Sequence, residues 1–139
     1  MESRATRTFT FDFLGEYIDL QTKNLIIERT EIKRLCKAAW DSSGKGKTVV
    51  IFDEVDLYGK NDPYISFLYR YGRHKNIEII AVARRFYDLP VIIRALTDQF
   101  YLFQITEERD INYLRRFISE ETIQTLISLE SYKYIIIDF

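Results

Sequence analysis

Two carboxylates close an apolar run, Val49-Val50-Ile51-Phe52-Asp53-Glu54, and Asp56 follows two residues later. Adjacent acids at the tip of a buried strand can divide labour. One holds Mg²⁺, which prefers oxygen ligands and keeps most of its waters. The next orients and deprotonates an attacking water. The simpler reading is that such residues only cap and solvate a strand end. Arg84-Arg85 closes the next apolar run. A guanidinium there can stabilise phosphate charge, in its own chain or from a neighbouring subunit. The simpler reading is an ion pair with Asp88, Glu54 or Asp98.

Other chemistry-bearing residues reduce to structure. Tyr69 to Lys75 (YRYGRHK) mixes bases with aromatics, a composition that can stack on nucleic acid. It precedes its strand, so it falls at the sheet end opposite Asp53 and reads as a solvated loop. His74 has no second His, so a metal or triad role fails. Cys36 falls on an apolar helical face and reads as core. Arg115-Arg116, near Asp110 and Glu120, reads as an ion-paired surface, and Tyr58 and Tyr113 as surface tyrosines.

Elements must bring these residues together. Arg7 to Phe13 alternates, with Phe9, Phe11 and Phe13 on one face, and ends near Asp12. Asn24 to Glu28 is a short candidate strand. Continuous apolar runs follow at Thr48–Phe52, Ile77–Ala83, Phe100–Ile105 and Tyr132–Ile137. Helical spacing fills the gaps: Ile32, Leu35, Cys36 and Ala39 with Thr30 as N-cap, then Ile65, Leu68 and Tyr69 after Pro63. Asp88 is expected to cap a helix through Ile92, Ile93 and Leu96, Asp110 one through Ile111, Leu114, Phe117 and Ile118, and Ser119 one through Ile123, Leu126 and Ile127. Buried strands alternating with helices predict a three-layer α/β domain with a mostly parallel sheet. The runs ending at Phe52, Ala83 and Ile105 are expected to be parallel and central. Ligands bind such sheets at the strand carboxyl ends, where Asp53-Glu54, Arg84-Arg85 and Gln104-Thr106 fall.

The 139 residues suggest a single domain over 1–139, with apolar residues at 47%, five Gly and two Pro, which excludes collagen-like and broadly disordered classes. Twenty basic against 21 acidic residues leave a net charge of -1, so any nucleic-acid binding needs a local patch. One Cys and one His exclude an internal disulfide and a Cys-rich zinc site. No apolar run reaches membrane-spanning length and no secretory signal opens the chain. The expectation is a cytoplasmic protein without a membrane partner.

The order of these motifs resembles the HerA/FtsK-type P-loop ATPases, a group that includes viral and archaeal DNA-packaging and translocation enzymes. FDFLGEY (Phe11 to Tyr17), VVIFDEVD (Val49 to Asp56), YRYGRHKNIEIIAVARRFYDLP (Tyr69 to Pro90) and ALTDQFYLFQI (Ala95 to Ile105) carry the resemblance, followed by ERDINYLRRFI and YKYIIIDF. It implies a RecA-like P-loop NTPase core, with Asp53 as the Walker B metal carboxylate and Glu54 as the catalytic one. Arg84 occupies a position where relatives often carry a polar sensor, and Arg85 matches the Arg after it as a catalytic candidate. Arg73 matches a basic position that in such rings faces the next subunit's nucleotide. If viral, the chain would work in the host cytoplasm.

One departure is serious. A P-loop, G-x-x-x-x-G-K-[ST], lies between a strand and a helix. Gly46-Lys47-Thr48 is the only G-K-T, residue 41 is Asp41 in place of the first glycine, and a strand follows. The amide nest and helix N-terminus that hold phosphate are therefore missing. Only six residues precede the Arg7 strand, too few for the first βα unit. Two functions stay open. The chain is either a Walker B-bearing part of a DNA-translocating ATPase or a non-catalytic interaction or nucleic-acid-binding module derived from that fold. In the first case Mg-ATP needs a P-loop from another chain, in a homo- or hetero-oligomer acting on DNA. Without the P-loop strand, Ile77–Ala83 and Phe100–Ile105 should pair directly or leave an open edge that a partner chain can fill.

Overall fold

Alternation in the first strand decides which side of the sheet is packed. In the computed structural model, which describes residues 6–12, 25–27, 31–44 and 46–138, β1 (Arg7–Phe11) buries Phe9 and Phe11. The expected partner in that stripe, Phe13, lies outside the described residues, as does the Thr30 cap. β1 pairs in parallel with β2 (Leu25–Ile27) on one side and with β3 (Thr48–Phe52) on the other. β4 (Ile77–Ala81) joins β3, also in parallel, giving the order β2-β1-β3-β4. Register sets Phe9 beside Val50, Phe11 beside Phe52, and Phe52 beside Ala81 on one face. Phe11 and Phe52 are fully buried there, and each contributes roughly 2–3 kcal/mol through that burial.

Helices cover this face. α1 (Ile32–Ser42) lays Leu35, Cys36 and Ala39 against β1 and β3. Its last carbonyls have partners: Arg7 Nη1 donates to Ser42 O at 2.9 Å. α2 (Pro63–Tyr71) packs on α1 and begins as the sequence requires, with Pro63 in the first turn and Asp62 Oδ1 accepting from the Tyr64 and Ile65 amides, each at 2.9 Å. α3 (Val91–Leu96) packs on α2. β5 (Gln99–Leu102), α4 (Glu108–Leu114), α5 (Glu120–Ile127) and β6 (Ile135–Asp138) complete the order.

Three expectations are corrected. The run after Thr97 does not join the parallel sheet, because β5 pairs antiparallel with β6 in a separate two-stranded sheet. Of the two outcomes expected for β4 and β5, direct pairing fails and an edge is left open. Asp88 caps no helix: α3 starts at Val91 behind Pro90, whose ring fixes an extended entry. Asp110 sits inside the first turn of α4, buried, and accepts the Tyr87 amide at 2.6 Å. Ser119 does cap α5, accepting from Thr122 N at 3.2 Å.

Candidate functional site

β3 delivers Asp53 to the carboxyl edge of the parallel sheet. Asp53 N donates to Phe11 O at 3.2 Å, which fixes it to β1, and the residue is only 5% exposed. Its Oδ1 accepts the Glu54 amide at 3.1 Å. Glu54 then adopts the left-handed conformation, φ 47° and ψ 43°. For an L-residue that costs about 1–2 kcal/mol. Anchors on both sides hold it there. Val55, fully buried, donates its amide to Val82 O at 2.9 Å, and Leu57 N donates to Glu54 O at 3.0 Å. The resulting 3₁₀ turn, Val55–Leu57, is closed by Gly59 N on Val55 O at 2.8 Å. A Cβ at Gly59 would stand 2.8 Å from that same oxygen, so the close approach requires glycine.

The turn folds Asp56 back beside Glu54, and Arg84 faces both. Arg84 Nη2 lies 3.3 Å from Asp56 Oδ2, and Arg84 Nε lies 3.9 Å from Glu54 Oε1. The carboxylates are the buried partners, with side chains 3% exposed at Asp56 and 18% at Glu54. Glu54 Oε2 and Asp56 Oδ1 are buried and accept no hydrogen bond. Such orphan oxygens are costly unless a cation or water satisfies them. Tyr58 OH donates to Asp53 O at 2.6 Å, and its ring meets Phe11 edge-on at 4.6 Å. Burial, and then the charge of Asp53, pushes this phenol above its ordinary range, so it remains a neutral donor.

Of the residues expected at the strand tips, Asp53, Glu54 and Arg84 meet, and Arg85 does not join them. Arg85 points to the other side of its loop and pairs with Glu107 at 3.2 Å. There, Arg84, Arg85, Asp88, Gln104, Glu107 and Asp110 are among the residues lining a polar pocket of about 430 Å³. Arg73 pairs instead with Asp98 at 3.6 Å, ahead of β4 and β5 and so at the opposite end from Asp53. Lys47 of the G-K-T triplet is ion-paired to Glu78, and Thr48, buried, opens β3. A strand therefore follows the triplet, as expected. Sequence reasoning missed Asp56 as the ion-pair centre, Tyr58 as a donor to the Asp53 carbonyl, and Asp110 as the clamp on the Tyr87 loop. Only Asp56 carried a signal, its place two residues beyond Glu54.

The donor set suits a hard cation such as Mg²⁺, which takes one or two carboxylates and fills its remaining positions with water and phosphate. Two unsatisfied carboxylate oxygens beside a buried aspartate fit that requirement. Among the described residues, no group of three or more His, Cys, Asp or Glu converges as an all-protein metal cage. No helix among them is long and apolar enough to cross a membrane.

The family model described as "Poxvirus A32 protein" matches residues 17–134. Among solved structures, the chain is similar to the genome packaging NTPase B204 from Sulfolobus turreted icosahedral virus 2 in complex with ATP-gammaS. The TM-score is 0.79 at 22% identity, covering 96% of this chain and 78% of that one. The same protein in complex with AMP gives 0.78 at 21% identity, covering 96% and 77%. The crystal structure of B204, the DNA-packaging ATPase from Sulfolobus Turreted Icosahedral Virus, gives 0.80 at 21%, covering 96% and 78%. No curated protein sequence matches significantly. At these identities the structural likeness shows the fold alone, a P-loop NTPase-like α/β core.

Proposed function

The chain belongs to the poxvirus A32 protein family, and from that premise we propose that residues 1–139 are the Walker B-bearing part of a viral DNA-packaging ATPase, without a Walker A loop of their own. Asp53 would hold Mg²⁺ and Glu54 would act as general base toward the attacking water. Bound there, the ion supplies charge neutralisation to the transferred phosphoryl group. The chain's own residues do the positioning. Asp53 Oδ1 ties down the Glu54 amide, Val55 locks the turn to β4, and Arg84 holds Glu54 and Asp56 together. Arg84 and Arg85 are within reach of the same edge as charge-stabilising groups. Arg73, at the opposite end, would act only across a subunit boundary.

The observation that carries this reading is Glu54 itself. A carboxylate in a left-handed conformation at a strand tip, with one buried oxygen unsatisfied, is strain with no structural return in the chain alone. The working assembly would be an oligomer acting on DNA in the host cytoplasm, with the phosphates cradled by chain outside residues 1–139. Titration calorimetry with Mg-ATP tests the missing cradle. The chain alone should show no micromolar binding, and micromolar binding would overturn the proposal.

A second reading rests on Arg84. With Asp56 at 3.3 Å and Glu54 at 3.9 Å, the cluster is already partly neutralised without nucleotide. That arrangement suits a non-catalytic module, which would show no hydrolysis even when a P-loop-bearing partner restores ATP binding.

A further inference from the structure

α2 carries a stripe of aromatic residues that faces water. Tyr64, Phe67 and Tyr71 recur at i, i+3 and i+7, so they share one side of the helix. They are 38%, 42% and 47% exposed, while Ile65, Leu68 and Tyr69 turn to the core. α1 runs beside this stripe in the same direction: Lys33 meets Tyr64 near the two helix starts, and Trp40 meets Phe67 further along. Lys33, Lys37 and Trp40, at i, i+4 and i+7, form the α1 side of the same surface.

The rings pack on one another. Phe67 meets Trp40 edge-on at 4.8 Å and Tyr71 at a tilt at 5.0 Å. Lysines rim them. Lys33 Nζ stands 5.7 Å from the Tyr64 ring centroid. Lys75 Nζ, in the 3₁₀ turn Gly72–Lys75 that follows α2, stands 4.8 Å from that of Trp40. The basic, aromatic segment Tyr69 to Lys75 is therefore more than a solvated loop: Tyr71 extends the strip and Lys75 closes its far end.

Charge on this side is of one sign. Residues 63–75 contain Arg70, Arg73, His74 and Lys75 and no acid, and α1 sets Lys33, Arg34 and Lys37 against Asp41 alone. Glu31 takes Arg34, and Asp98 takes Arg73. Among the described residues, Lys33, Lys37, Arg70 and Lys75 have no ion-pair partner. An aromatic strip in water calls for an apolar cover, and unpaired cations around it call for carboxylates. A second copy would set the same lysines against these. Nucleobases stack on separate, open ring faces, which ring-to-ring packing and the two ammonium contacts take up here. A third helix laid along α1 and α2 meets both demands, with apolar side chains on the rings and acids on its flanks.

We propose that the α1–α2 surface docks an acidic amphipathic helix of a partner protein. Neither Asp53 nor Glu54 takes part, so this docking stands apart from the nucleotide reading.

Trp40 is the only tryptophan of the chain, so its fluorescence reports on this surface alone. The probe is a helical peptide of about 18 residues, five turns, with leucines at i, i+3, i+4 and i+7 and glutamates beside them. Its control carries lysine for every glutamate. Added to the 139-residue chain, the glutamate peptide should shift Trp40 emission to the blue and saturate, and the lysine peptide should leave it unchanged. Lys33→Glu combined with Lys37→Glu leaves the Lys75–Trp40 contact in place. It should weaken the glutamate peptide about tenfold and let the lysine peptide bind. Both lysines are exposed, so the double variant should melt as wild type does. Tyr71→Ala, which shortens the strip without changing charge, should weaken the glutamate peptide as well. No shift with the glutamate peptide, equal shifts with both peptides, or unchanged affinity in the double variant overturns the proposal. So does a shift produced by oligothymidylate instead, which would make the surface a nucleic-acid site, or by rising protein concentration alone, which would make it a contact between copies.

Discussion

Glu54 carries two burdens that substitution can separate: a left-handed backbone and a like-charged neighbour on each side. Glu54→Gly removes both and should raise stability by about 1 kcal/mol, since glycine adopts that conformation without a Cβ clash. Glu54→Gln keeps the strain and removes only charge. It should change stability by no more than ~0.5 kcal/mol, or raise it slightly if repulsion from Asp53 and Asp56 exceeds what Arg84 offsets. Urea unfolding of the three proteins, with and without Mg²⁺, gives the comparison. A large loss in Glu54→Gln would make Glu54 a structural ion-pair member and withdraw its catalytic assignment. The Asp53-Glu54 pair was legible in the sequence because an apolar run ends on it. Arg84 was legible as a partner of Glu54; its closer partner, Asp56, was not. Arg84 reaches Asp56 across 28 positions of sequence, and only the β3–β4 pairing brings them together.

Among the elements, those with strong local signals read correctly. α2 has its Pro63 start, α5 its Ser119 cap, and β3 its unbroken apolar run. Expectation failed where local chemistry was overruled by distant contacts. Asp110 resembles a cap but is drawn inward by the Tyr87 amide, and β5 resembles a central parallel strand but takes β6 as its partner. α1 provides a test of how firmly the helical layer is packed. Burial, and then the charge of Asp62, pushes the Cys36 thiol from 9.0 to about 12. A raised folded-state value means its contribution to stability is complete below 9.0 and is lost as pH rises toward 12. Wild type should therefore lose stability more steeply across that range than Cys36→Ala. Tyr69, also raised by burial, contributes equally to both curves, whereas Tyr58, raised in part by Cys36 itself, adds to the thiol's share of the difference. Parallel curves would mean that α1 opens and exposes Cys36 before the core unfolds.

At the scale of the whole molecule, the two sheets share a helical layer but leave a groove between them, and the net charge of -1 supplies little repulsion between copies. An open, apolar parallel edge is a template for unwanted pairing. Nothing along β4 blunts it except Glu78, and that carboxylate is tied to Lys47. The isolated chain should therefore self-associate as its concentration rises. Ile80→Lys places a charge on the exposed face of β4 while the Ile80 backbone still addresses β3. It should lower the association measured by light scattering and leave the melting temperature nearly unchanged, because an exposed substitution typically costs within ~0.5 kcal/mol. If Ile80→Lys associates as strongly as wild type, the adhesive surface is the aromatic face of Tyr101, Phe103 and Tyr134. If wild type stays monomeric at every concentration, the β4 edge is protected in solution and the groove is not open as described. Only the first outcome, association relieved at Ile80, makes the β4 edge the exposed surface of the isolated chain.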